Sequence, residues 1–495
     1  MRAELISPSI PRFIDQAGLR SDPLWYLRSA RAVGDVVAIL EESALFSLSS
    51  DCCGTVAAFG PAATQQILSD PDTFGMAVSV AERFSLPPRL VRLNAGLFSM
   101  HGERHRTHQH LLMTFLRRSN VAEYGTAILR GWNAFKEDLV HDRDLHLLSE
   151  MRRLVLNISG RIVFGNDGVD LGRSIQKYFE DRRDFSKAEA APCPHDSSSR
   201  EIRRELVRSG LRLDGMLRAR LAELQNGPGA KSAGEPECMF RKLAHLQYDN
   251  GTPLSPEDLV AHANILFMSG SEPMAVALTW TLLLLSQQPE VLQNARKEVA
   301  TVFEGRQPPP YFAEAELPTV RAIVLESLRL LPPNAIMVRL STRETDILGH
   351  RLPRRCEVVL SPYVAHRDQR DWENPDHFDP RRWAGLNPSP YCYLPFGAGN
   401  RFCLGKHFAT SILVSILARI VRDYDLTLAA EQSIDWKMHI NLMPAEDPVI
   451  RFSPAGSATR QSKRLQGPVT DLIQGRASPV AAPYRPVRVR ALDAK

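Results

Sequence analysis

The sequence is short of cysteine and offers no way of pairing what it has. Seven cysteines stand at 52, 53, 193, 238, 356, 392 and 403. An odd number without C-x-x-C spacing excludes a disulfide framework and a structural zinc site, and predicts a reducing, cytoplasmic setting. A membrane-length apolar run is also missing. The longest, MAVALTWTLLLL at 274–285, has 12 residues, against the roughly 20 that a spanning helix needs. The N-terminal stretch MRAELISPSIPRFIDQAGLRSDPLWYL interrupts its hydrophobics with proline and charge every few positions, so neither a signal peptide nor a transmembrane anchor is predicted. No internal repeat is visible. The body also lacks net charge. Of the overall +5, residues 457–495 carry eight Lys/Arg against Asp471 and Asp493, so the basic character belongs to a tail without periodicity. That composition predicts a solvated, disordered extension and argues against a nucleic-acid partner.

What is present is a globular composition, 44% hydrophobic and 24% charged over 495 residues, enough for one unusually large domain or for two or three ordinary ones. The pattern is mainly helical, with β signals in VVAILEESALFSLSS (36–50) and GTVAAFG (54–60) and again between Arg339 and Leu360. LQNGPGAKSAGEPE (224–237) reads as an exposed loop. An N-terminal segment 1–21, a domain 22–456 and the tail 457–495 are expected. One helix is especially clear. Ser255 offers a cap, Pro256 a first helical residue and Asp258 an acid three residues after the cap, and apolar periodicity continues to Gln288 before Pro289. At its centre Ser269-Gly270-Ser271-Glu272-Pro273 combines small residues, a carboxylate and a helix-breaking proline. Stability alone does not select such residues, so a partner against this turn is expected.

The stretch FGAGNRFCLG (396–405) surrounds one thiol with glycines and an arginine. Burial penalises a thiolate, which persists only where hydrogen-bond donors or a metal hold its charge. Glycines at 397, 399 and 405 permit tight turns and the close approach of a flat partner. The helix-like run KHFATSILVSILARIV follows Cys403 directly, placing the sulfur near a positive helix end. Arg401 can present a cation to a carboxylate on the flat partner. These features describe an axial thiolate to haem iron.

At this point the chain resembles the cytochrome P-450 superfamily, of the soluble bacterial type. The loop matches the F-x-x-G-x-R-x-C-x-G signature at Phe396, Gly399, Arg401, Cys403 and Gly405. Glu326-Ser-Leu-Arg329 matches the E-x-x-R helix, and Phe378-Asp-Pro-Arg-Arg382-Trp383 the F-x-P-x-R-W segment. The likeness runs from Asp22 to Phe452. It implies the mainly α fold of that family with a small β region, and haem b (iron protoporphyrin IX) ligated by Cys403. Arg401, Arg339 and His105 would be propionate partners, and Phe396 part of the cofactor loop. Glu326, Arg329 and Arg382 would form a structural network. Gln109 stands where an arginine is expected four residues after His105, and the histidines at 101, 105, 108 and 110 otherwise read as a solvated basic face.

The resemblance implies a monooxygenase inserting one atom of O2 into a small lipophilic substrate. A separate ferredoxin-type or flavoprotein donor would supply electrons, docking near Arg104, Arg106, Arg117, Arg118 and Lys406. A monomer serving secondary metabolism is expected. Residues 75–98, Phe267, Met268 and 334–337 would line an apolar pocket. In the family an acid and a threonine organise proton delivery in the central helix. Here Glu272 is kept and Pro273 replaces the threonine. Three readings stay open: a monooxygenase using Glu272 as its proton-delivering catalytic residue, a peroxide-using or isomerising haem-thiolate enzyme, and a haem-binding protein without turnover.

Overall fold

The helix predicted from Ser255 is the axis of the molecule. In the computed structural model it spans Pro256–Leu285, 30 residues, or about 45 Å at 1.5 Å per residue. The Ser255 hydroxyl accepts the Asp258 N–H at 3.1 Å, while Pro256 fills a position that needs no donor. Most of its surface is buried, as expected of a helix that is apolar nearly all round. Its most extensive packing is against the helix Leu147–Phe164, with the rings of Phe164 and Phe267 5.6 Å apart. The helix passes through Pro273 without interruption. Pro273 has no N–H to give, so the Ser269 carbonyl lacks its usual donor four residues on.

The structure describes residues 6–41, 52–76, 86–139, 141–165, 168–189, 197–226, 238–304, 309–438, 440–457 and 462–474. The second half of the first β signal, residues 77–85 of the expected pocket segment, residues 227–237 of the expected loop, Cys193 and the tail beyond 474 lie outside them. The chain is mainly helical with small sheets and forms a single large domain. The two β signals, far apart in sequence, join one sheet in the order Val36–Glu41, Gly54–Ala58, Glu357–Leu360, Met337–Ser341, Phe74–Gly75. Gly54–Ala58 runs parallel to Glu357–Leu360, and the other pairings are antiparallel. Arg339 pairs with Val358 in this sheet.

The expected boundary at residue 456 is corrected by the structure. Leu465–Gln466 pairs with Gln432–Ser433, and Pro468–Gln474 forms a helix. Leu465, Val469 and Leu472 are buried, and the Leu472 carbonyl accepts the Phe378 N–H at 2.9 Å. Three apolar side chains within a polar, arginine-rich stretch thus tie residues 462–474 to the domain.

Candidate functional site

The loop around Cys403 is built by backbone geometry. Gly397 and Gly399 adopt φ of +64° and +65°, a region that disfavours side chains. A Cβ on Gly399 would stand 2.0 Å from the Leu68 carbonyl oxygen, so glycine alone lets the loop close on the helix Gly60–Ser69. The Cys403 N–H donates to the Phe396 carbonyl at 2.8 Å. The helix Lys406–Asp423 starts directly after the loop. Burial pushes the Cys403 thiol up, while the Gly405 N–H bonded to it and the nearby Lys406 charge pull it down. The same residue is exposed to a water-sized sphere. Strong desolvation and local accessibility coexist where a sulfur lies on an inner wall, surrounded by protein but not covered.

Two cations, Arg339 and Arg401, and one histidine share that neighbourhood. Arg339 is 8% exposed, and its recorded hydrogen bond goes to the carbonyl of its own neighbour Val338, at 2.9 Å. Burial, then repulsion from Arg401, lowers its pKa to about 10. His105 is buried and held down to about 4, first by burial and then by Arg401, His101 and Arg106. Arg401 donates to the carbonyls of Leu97 and Met100, and burial lowers its pKa too. No ion pair joins any of the three to a carboxylate among the described residues. Buried like charges without a counter-ion call for an anion. Gln109, in the place of an expected arginine, donates to the Asn400 carbonyl at 3.0 Å and so braces the cysteine loop.

The central helix supplies a second wall. Leu266, Met268, Ser269, Gly270, Glu272 and Pro273 are at least partly accessible on it, whereas Asn264, Phe267, Met274 and Ala277 are buried. Leu266, Ser269, Gly270 and Pro273 follow a spacing of three and four, one face of a helix, with Met268 and Glu272 four apart beside it. A Cβ on Gly270 would meet nothing within 4 Å. Glu272 lies outside that stripe. Its carboxylate takes two bonds of 3.1 Å from Arg152 Nε and a further one from Nη2, with about a third of each side chain exposed.

Below the cysteine loop the expected charge network is closed. Glu326 and Arg329 are fully buried and joined by bonds of 2.9 and 2.8 Å. Glu326 also accepts from Arg382 at 2.9 Å, the Asp379 N–H at 3.0 Å and the Trp383 indole at 3.0 Å. Arg329 reaches the carbonyls of His366, Pro375 and His377. Sequence reading missed His366. Its Nδ1 bonds the Arg329 carbonyl at 2.8 Å, and its Nε2 accepts the Leu394 N–H at 2.7 Å. The ring therefore links the network to the strand of chain entering the cysteine loop. Both partners are distant in sequence, and no local pattern marks them. Arg152, the partner of Glu272, was missed for the same reason.

The solvated basic face expected of His101, His105, His108 and His110 is corrected. His105 and His108 are buried; His108 bonds His262 at 2.8 Å and the Tyr248 hydroxyl at 3.1 Å. Helical spacing turns these two inward against the central helix. Among the described residues no cluster suits a metal ion, and no helix is long and apolar enough to cross a membrane. Arg104, Arg106, Arg117, Arg118 and Lys406 are exposed, Arg104 being paired with Asp258 at 2.7 Å.

The residues fit a haem on three counts: a desolvated yet reachable sulfur, buried cations lacking carboxylates, and an open helix face. A family model described as Cytochrome P450 matches residues 54–449. Probable cytochrome P450 4aa1 of Drosophila melanogaster is 30% identical over 211 residues, 42% of this chain and 41% of that protein. Cytochrome P450 3A28 of Bos taurus is 31% identical over 218 residues, 43% of each. The match thus spans about two fifths of these relatives' length. Among solved structures, the crystal structure of cytochrome P450DA heme domain has a TM-score of 0.75 at 19% identity, covering 91% of this chain and 98% of that one. With the family model spanning most of its length, the chain belongs to the cytochrome P450 family, whose cofactor is heme.

Proposed function

We propose that the protein is a haem-thiolate monooxygenase that inserts one oxygen atom from O2 into a lipophilic organic substrate. The observation that carries this reading is the setting of Cys403, whose sulfur is bonded by the Gly405 N–H and stands two residues from Arg401, the cation that acts on both Arg339 and His105. Bound heme supplies the activation of O2, which an axial thiolate favours. The chain's own part is to hold, orient and exclude. Cys403 presents the sulfur, and Arg339, Arg401 and the neutral His105 ring offer partners for the two propionates. Leu266 and Met268, with Ile336 and Met337, offer apolar walls that exclude water and suit an oily substrate. Electrons come from a separate ferredoxin-type or flavoprotein donor, for which exposed Arg106, Arg117, Arg118 and Lys406 offer an acidic-partner surface. The six described cysteines are free, in keeping with a reducing, cytoplasmic setting.

Proton supply is assigned to Glu272. It meets solvent beside Arg152 and passes protons across the helix by water held on the Ser269 carbonyl that Pro273 leaves without an amide donor. A second reading, use of peroxide or rearrangement of an oxygenated substrate, draws on the pairing of Glu272 with Arg152 away from the accessible stripe. The test of the main reading is the absorption band of the reduced carbon-monoxide complex, combined with turnover on O2 and an electron donor. Wild type should show the thiolate-type band, and Cys403→Ala should lose it, with the other cysteines dispensable. A wild type that binds no heme, or a Cys403→Ala protein that keeps the band, overturns the assignment.

A further inference from the structure

One half-buried cation has no carboxylate partner among the described residues, and nothing in the chemistry above uses it. Arg182, on the helix Gly168–Glu189, donates from Nη1 to Asn94 Oδ1 at 3.1 Å. Its guanidinium lies over the Phe179 ring, 4.3 Å from the centroid. Asn94 is a neutral amide fixed by the Tyr178 hydroxyl and the Leu90 carbonyl, each at 2.7 Å. No carboxylate among the described residues pairs with Arg182, and the adjacent Asp181 is taken by Lys177. Burial lowers the arginine's pKa, with Tyr178 the one ionisable neighbour opposing it. Yet the side chain is only half-buried. Cys403 shows the same combination, which marks an inner surface and not a sealed core.

The surroundings connect this surface to the central helix and to the cysteine loop. Leu93, next to Asn94, accepts from Asn264 of the central helix at 3.1 Å, and a Cβ on Gly96 would stand 2.7 Å from Ile265. The same segment continues to Leu97 and Met100, whose carbonyls hold Arg401 of the cysteine loop. The helix carrying Arg182 touches the central helix as well, since a Cβ on Gly172 would stand 2.8 Å from the Phe267 ring. Asn264 precedes Ser269 by five residues, about 8 Å along the helix. Burying a guanidinium to satisfy one amide is costly, and a neutral donor would serve an amide equally well. With Nη1 on Asn94 and the plane set by Phe179, Nε and Nη2 remain for the two oxygens of an oxyanion.

We propose that Arg182 anchors an anionic head group, a carboxylate or a phosphate monoester, on a lipophilic substrate whose apolar body extends along the central helix toward Ser269 and Gly270. The proposal rests on the reading of the cysteine loop and the central helix as the catalytic site, and it narrows the substrate class to amphiphilic acids.

Calorimetric titration of the heme-loaded protein with dodecanoate, dodecyl phosphate, methyl dodecanoate and dodecanol tests it, with the heme absorption shift followed in parallel. At least one of the two anions should bind ten-fold or more tighter than both neutral probes, and the preferred one identifies the head group. Arg182→Met should weaken that anion at least ten-fold while leaving methyl dodecanoate within two-fold, and Arg182→Lys should retain part of the preference. Equal binding of anions and neutral probes, or an anion preference unchanged in Arg182→Met, overturns the proposal. Heme content and the reduced carbon-monoxide band are measured on the same samples. A missing band in wild type would count against the haem-thiolate reading, while the calorimetric preference would still decide the role of Arg182.

Discussion

A charge such as that of Glu326 survives in a protein interior only when every partner is in place. Five donor groups converge on its two oxygens, counting Arg329 as two. Removing the carboxylate leaves Arg329 buried with unbalanced charge, so Glu326→Ala should cost about 3–5 kcal/mol. Chemical denaturation and heme content measure it; a loss under about 1 kcal/mol would equate this pair with a surface bridge. His366 sets a pH dependence in the same place. Its Nε2 must accept from Leu394 while Nδ1 donates to Arg329, so only the neutral ring fits. Burial, the largest cause, depresses its pKa to about 3, and the buried His262 is held at about 4 by burial and then by His108. The unfolded chain, with histidines near 6.5, binds more protons than the folded one between these values. Stability is therefore full above about pH 6.5 and falls as pH drops toward 4, each ring contributing up to ~1.4 kcal/mol per pH unit. His366→Asn or His262→Asn should flatten that slope in urea unfolding at several pH values; an unchanged slope would show that these rings do not titrate as described.

Within elements, glycine and proline carry the instructions, and their legibility differs. Phe396, Gly399, Arg401, Cys403 and Gly405 form a dense local pattern, so the loop could be read directly. The reason for Gly399 could not, because the atom it must avoid belongs to Leu68. Gly399→Ala meets both a positive φ and backbone 2.0 Å away, and should disable the loop, with heme content reduced several-fold. Gly270→Ala places its methyl in open space and should keep heme while altering ligand affinity; equal heme loss in both variants would remove the distinction between wall and scaffold. The start of the central helix was legible from Ser255, Pro256 and Asp258, since capping is local. The inward turn of His108 was not, because polarity suggested solvent and only packing shows otherwise. Glu272 stood out in sequence, but its partner Arg152 lies 120 residues away. If Glu272 delivers protons, Glu272→Gln should lower turnover with O2 and a donor by about 10²-fold or more, direct less of the consumed reductant into product, and spare peroxide-driven turnover. Equal losses in both assays would exclude the role, and wild-type activity with peroxide alone would favour the second reading.

Across the whole molecule the site sits between two cores, an arrangement no sequence window contains. One apolar cluster is helical and includes Trp280, Leu328 and Ile416. The other lies under the mixed sheet and includes Val56, Val358 and Leu360. The cysteine loop straddles them: Leu394 and Ala398 belong to the sheet cluster, while Phe396 and Leu404 pack on the helical one. Arg339 comes from the sheet and His105 from a helix. The mainly helical class was readable from periodicity, and the two β signals were readable as strands. Their union in one sheet was not, because pairing residues 54–58 with 357–360 spans some three hundred residues. The folded stretch 462–474 was hidden by its polar flanks. A heme bound at this junction contacts both sides, so its binding free energy couples them, adding roughly 4 kcal/mol when heme is at a thousand times its dissociation constant. Removing heme should therefore lower the unfolding midpoint and loosen the junction first. Amide hydrogen exchange should accelerate most in 97–109, 337–341 and 394–405, and least in the buried helix 410–421, which keeps its own apolar contacts. Uniform acceleration, or a midpoint unchanged by heme, would show that the two cores hold together without the cofactor and that the cysteine loop is not their coupling element.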